Sequence, residues 1–202
     1  MSELSVGTLS GLAANSYVID VASGSSLDLS NATDLPASAL PAGSIIAVES
    51  VLKTDTFSSS VTGGSNVEVT DLSITHAMSD ASNKLLITAY FGVAANSDGK
   101  GQVGIAVHNG STLIGVGDSS GSRTPVSAGG ESTSGGDTGQ VVFPNVTIPY
   151  EPGDTASRTY TVRAINIRNT TYTLYVNRNQ SDNDTGSAPR GVSALIIQEV
   201  AG

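Results

Sequence analysis

The sequence predicts an all-β protein: an antiparallel β-sandwich body, jelly-roll-like, carrying an extended N-terminal β arm. Three observations predict it. Apolar residues come in short runs cut by Gly, Ser, Asn and Pro, the pattern of strands and turns. Hydrophobic residues reach 38% while aromatics are only 4% and Trp is absent, so the core is built from Val, Ile, Leu and Ala. No segment of helix length repeats its apolar residues at 3.6 positions.

The first section, residues 1–45, is read as the arm and residues 46–202 as the body. The arm contains one aromatic, Tyr17, and no Lys or Arg. Its apolar beats, Val18, Ile19 and Val21, then Leu27 and Leu29, are too short to make a core alone. They are expected to be buried by partner subunits, so these five residues form the candidate oligomerisation and anchoring site. DLPASALPAGS (34–44) reads as a linker, because Pro36 and Pro41 force extended geometry before them and Gly43 permits a turn.

IAVESVLKTD (46–55) is the first body strand, SSSVTGGSN (58–66) a turn, and VEVTDLSIT (67–75) the next strand. In the latter, Val69 and Leu72 break the two-residue alternation, and a bulge at Asp71 restores it. HAMSDASNK (76–84) is a loop. KLLITAYFGV (84–93) is nearly continuous in apolar residues, which predicts a central strand covered on both faces. NSDGKG (96–101) is a polar turn. QVGIAVHNGSTLIGVGD (102–118) reads as a hairpin turning at Asn109-Gly110. SSGSRTPVSAGGESTSGGDTG (119–139) has almost no apolar residue and reads as a long, mobile or functional connection.

VVFPNVTIPYE (141–151) holds Pro144 and Pro149, which assign it to a sheet edge. TASRTYTVRAINI (155–167) and TYTLYVNRN (171–179) read as partner strands. QSDNDTGSAPRG (180–191) is a loop, and VSALIIQEV (192–200) is the last strand.

The net charge of −9 opposes binding to phosphate backbones, so nucleic acid is not expected as a partner. Five arginines (Arg158, Arg163, Arg168, Arg178 and Arg190) fall in the last quarter, either as solvated strand edges or as a docking surface for an acidic partner. With no Cys there is no disulfide and no thiolate chemistry. MSELSVGTLSG lacks the basic and apolar parts of a signal peptide, and no apolar run approaches membrane-spanning length, so no membrane partner is expected.

Catalytic patterns are weak. His76 begins a loop and His108 borders a turn, and both read as surface histidines. There is no Gly-x-Ser-x-Gly elbow and no phosphate-binding loop. The turns Asn96-Ser97-Asp98-Gly99 and Asp182-Asn183-Asp184 fall short of the oxygen set calcium needs. Asp98, Asp118, Glu131 and Asp137 have no spacing that marks an acid–base pair. No enzyme, cofactor or metal is expected. Arg123, Glu131, Asp137, Asp182 and Asp184 mark the polar loops open to binding.

The order of six segments resembles a known family. They are LSGLAANSYVIDVASGSSLDLSNAT, AGSIIAVESVLKTDTFSSS, LSITHAMSDASNKLLITAYFGV, STLIGVGDSSGSR, SRTYTVRAINIRNTTYTLYVN and SALIIQEVAG. Together they are similar to the tail-fibre-like surface proteins of tailed bacteriophages, especially those of aquatic hosts. That resemblance implies a trimeric, non-enzymatic structural protein on the virion surface. The short arm fits a capsid decoration (cement) or head-fibre protein bound to other virion proteins. The alternative is a tail fibre or receptor-binding protein whose loops contact host surface glycans.

Overall fold

The computed structural model describes residues 40–96, 102–132, 140–186 and 188–202. The arm residues Val18, Ile19, Val21, Leu27 and Leu29 lie outside the described residues, as do Asp98 and Asp137.

Twelve strands follow in order: β1 (Ile45–Lys53), β2 (Phe57–Val61), β3 (Asn66–His76), β4 (Lys84–Tyr90), β5 (Val93–Ala95), β6 (Gln102–Asn109), β7 (Thr112–Ile114), β8 (Ala128–Glu131), β9 (Asn145–Tyr150), β10 (Arg158–Asn166), β11 (Tyr172–Val176) and β12 (Ser193–Val200). Sheet A runs β1-β12-β4-β9. Sheet C runs β3-β10-β6, and β7 and β8 share the remaining side of β6. A small sheet B runs β2-β11-β5.

The pairings are nested. β1 pairs β12, β3 pairs β10, β4 pairs β9 and β6 pairs β8, all antiparallel. Early strands thus meet late ones, as in a long hairpin folded back on itself. Two further pairings, β12 with β4 and β10 with β6, close the rolled hairpin into two sheets. This is jelly-roll topology, which leaves few open strand edges.

The sandwich core follows from the strand period of two. Leu85, Ile87 and Ala89 of β4 and Leu195 and Ile197 of β12 point inward from sheet A. They meet Val69, Leu72 and Ile74 of β3, Tyr160 and Val162 of β10, and Val103, Ile105 and Val107 of β6. The bulge expected in β3 is present. Thr161 opposes Ser73 and Arg163 opposes Glu68, so Val162 alone faces the intervening stretch. Asp71 there has φ +61°, and the shift lets both Val69 and Leu72 be buried. Likewise β9, with its prolines, is an edge strand.

Several expectations are corrected. The segment 58–66 is not all turn, since Ser58 to Val61 belong to β2 and pair with β11. β4 is central but not covered on both faces, because Leu86 and Thr88 are half-buried and Tyr90 is exposed. The hairpin turns at Gly110-Ser111: Asn109 pairs with Thr112, and positive φ falls on Gly110 (+58°) alone, so the turn has glycine first. The connection 119–139 contains β8, and Val126 packs on Gly104, where a Cβ would come within 2.6 Å.

β10 and β11 are not partners. Asn166 turns the chain from sheet C into sheet B between them. Its Nδ2 donates to the carbonyls of Val61 and Thr170, each at 2.8 Å, and its Oδ1 accepts from the Arg168 N–H at 3.0 Å.

Candidate interaction surface

β1 reverses the usual polarity of a sandwich strand. Glu49, Val51 and Lys53 lie on the side facing β3, whereas Val48 and Leu52 face outward, 59% and 61% exposed. The inward charges have partners there. His76 of β3 is buried, with Nδ1 at 2.8 Å from Glu49 Oε1 and Nε2 at 3.1 Å from Glu199 Oε2. A ring with one N–H satisfies one of these carboxylates, and a ring with two satisfies both. The other oxygen of Glu199 accepts from Ser79 N–H and Oγ, both at 2.8 Å, and from Asn83 Nδ2 at 2.6 Å. The Lys53 ammonium donates to both oxygens of Asp55.

Both histidines are therefore corrected from surface to interior. His76 is held by carboxylates from two distant strands. His108 is also buried, and its ring nitrogens have no hydrogen-bond partner. Burial pushes its imidazole below the ordinary value, the Arg163 charge adds to that, and Glu68 opposes it.

With Lys53 and Glu199 buried, the outer face of sheet A is left largely apolar and nearly neutral. Four rows cross it. Leu52, Ala194, Tyr90 and Asn145 make the first; Ser50, Ile196, Thr88 and Thr147 the second; Val48, Gln198, Leu86 and Pro149 the third. Ile45, Val200 and Lys84 make the fourth. Lys84 is the single charge in these rows, and it pairs with Glu151 at 2.8 Å. At the Leu52 end, the Phe143 ring stacks on Tyr90 with centroids 5.8 Å apart. Glycines make room for it: a Cβ at Gly92 or Gly191 would meet the Phe143 ring at 2.9 or 2.7 Å.

The two edges of this sheet differ. β9 carries Pro149 and follows Pro144, which blocks pairing with another strand. β1 has no proline, and its lysine is buried rather than standing guard at the edge.

The polar loop residues named from sequence do not converge. Arg123 folds back on Ser120 at 2.8 Å. Glu131 is exposed on β8, opposite Gln102. Asp182 is held by Arg190 of its own loop at 2.8 Å and by Arg178, just before the loop, at 3.6 Å, while Asp184 is exposed beside it. Arg158 and Arg163 likewise pair with Asp154 and Glu68. Four of the five clustered arginines thus meet carboxylates of this same chain, and they assemble no basic docking surface. Asp118 is exposed. Among the described residues, no group of three or more His, Asp or Glu is placed to hold a metal ion. A cleft of about 500 Å³ opens beside Leu40, Ser79, Asp80 and Asn83, and Ser79 and Asn83 already donate to Glu199.

The outer face escaped the sequence reading. Val48, Val51 and Leu52 fit either register of β1, and only Glu199 and His76, far along the chain, decide which side turns in.

No family model matches the chain, and no curated protein matches it. Among solved structures it is similar to one titled "Structure of infectious bursal disease virus Gx strain", at 17% identity and TM-score 0.38. The match covers 77% of this chain and 38% of that one, so this chain spans well under half of its length. A similarity at that TM-score transfers neither fold nor role.

Proposed function

We propose that this chain is a non-enzymatic structural protein of a tailed-phage virion. It assembles as a homotrimer and stands on the particle surface as a capsid decoration (cement) or head-fibre protein, contacting other virion proteins. The observation that carries this reading is the polarity of sheet A, with Lys53 and Glu199 buried and Ile45, Val48 and Leu52 turned out. A monomer gains nothing from that arrangement, and an assembling subunit does. The order of the six sequence segments, which resembles that of tail-fibre-like proteins, supports the same reading. So does the jelly roll, a fold used by viral coats as well as by lectins, although fold alone assigns no function. The receptor-binding alternative draws less support, because Asp182 in loop 180–191 is already bound by Arg178 and Arg190.

The test is native mass spectrometry of the purified protein, with cryo-electron microscopy of the particle. A trimeric mass and matching density on the capsid surface are expected. A particle without that density overturns the virion assignment, and density only at the tail tip selects the receptor-binding alternative.

A further inference from the structure

We propose that the outer face of sheet A is where copies of this chain meet, its occupant being a second copy of the same chain, with three faces closing about one axis. This rests on the trimeric reading above and adds the surface and its centre.

Seven large apolar side chains are exposed among the described residues, and six of them (Ile45, Val48, Leu52, Tyr90, Phe143 and Val192) lie on this face or at its margin. The seventh, Leu113, is on sheet C. Charge selects the occupant. The chain has 18 acidic residues against 9 basic ones, so copies repel one another through most of their surface. The sheet A face presents only the neutralised Lys84–Glu151 pair. A basic partner finds no acidic patch there, and an acidic partner finds no free cation. An identical neutral face desolvates no unpaired charge. The centre lies near β1, which holds the three most exposed of these side chains and lacks the prolines that protect β9.

Area agrees with self-association and constrains it. Strands about 4.8 Å apart and a two-residue repeat of about 6.7 Å give about 32 Å² per outward position, so the four rows span about 500 Å². Three such faces closing about one axis bury about 1,500 Å² in the trimer, or about 500 Å² for each pair of copies, so no pair alone reaches the roughly 1,000 Å² of a specific interface and the assembly holds only when all three close. The contact must therefore engage the whole face, including the Tyr90–Phe143 end.

The experiment compares Leu52→Asp and the milder Leu52→Gln with Leu113→Asp, by native mass spectrometry and sedimentation, with circular dichroism to verify folding. Leu52 is mostly exposed, so both variants keep the fold. Leu52→Asp is expected to give a folded monomer, Leu52→Gln to weaken association about 30-fold, and Leu113→Asp to remain trimeric. A trimeric Leu52→Asp overturns this face while leaving the trimer intact. A monomeric wild type still found on particles overturns the second copy as occupant and leaves the virion role standing. Absence from particles defeats the role itself.

Discussion

Glu199 Oε2 and His76 Nε2 meet at 3.1 Å in the buried space between β12 and β3, residues separated by 123 positions in the chain. With Glu49 on the other ring nitrogen, the imidazole joins β1, β3 and β12. Removing one partner from a buried, hydrogen-bonded carboxylate is far costlier than removing one from an exposed pair. Glu199→Gln is expected to lower stability by about 3 kcal/mol, and Glu49→Gln, whose side chain is 45% exposed, by well under half as much. Urea denaturation midpoints measure both.

The same carboxylate sets an acid limit. Burial pushes Glu199 up, but hydrogen bonds from Asn83, from the side chain and backbone of Ser79, and from His76 outweigh it and leave the group below its ordinary value of 4.5. As pH falls, the unfolded carboxyl therefore takes its proton first. The stabilisation is fully present above 4.5 and is lost as pH falls through the folded value. Denaturation midpoints from about pH 6 to about pH 3 should fall more steeply for the wild type than for Glu199→Gln. Asp154, held by Arg158 at about 2, loses its contribution as pH falls below 3.8 in both proteins alike, so it cancels in the comparison.

Two glycines with the same backbone requirement should respond differently. Gly110 and Gly115 have φ of +58° and +61°, where L-residues are strained. A Cβ at Gly110 meets open space, so Gly110→Ala should cost about 1 kcal/mol. At Gly115 it would meet three carbons of Ile148 within 2.6 Å, and overpacking adds to the strain. Gly115→Ala should cost about 3 kcal/mol or more. Thermal unfolding followed by circular dichroism separates the two.

The corner at Asn166 should be equally sensitive. Asn166→Ala leaves the Val61 carbonyl without that side-chain donor and removes the acceptor for the Arg168 N–H. A loss of about 2–4 kcal/mol is expected. Hydrogen exchange should show loosening of β2 and β11 before sheet A.

The strands were legible wherever neighbouring residues determine geometry. Alternation located β3 and its bulge at Asp71, and two prolines located the edge strand β9. β2 was hidden because three serines occupy its middle, and pairing with β11 rather than hydrophobicity makes it a strand. β10 and β11 looked like a hairpin because they are close in sequence, and one buried asparagine directs them into different sheets. The histidines and the outward face of β1 could not be read locally, since the partners that decide them lie on other strands.

The nested pairing of the first and last strands has a further consequence. Gly43 N–H donates to Ala201 at 2.8 Å and Ala201 N–H to Ser44 at 2.9 Å, so the two ends of the jelly roll are stitched together. Such ends suit circular permutation, with a short peptide joining them and new termini opened at an exposed loop tip. During synthesis, however, β1 has no partner until β12 emerges from the ribosome. Half of sheet A must wait for the final strand, and the body closes only after nearly all of it has been translated.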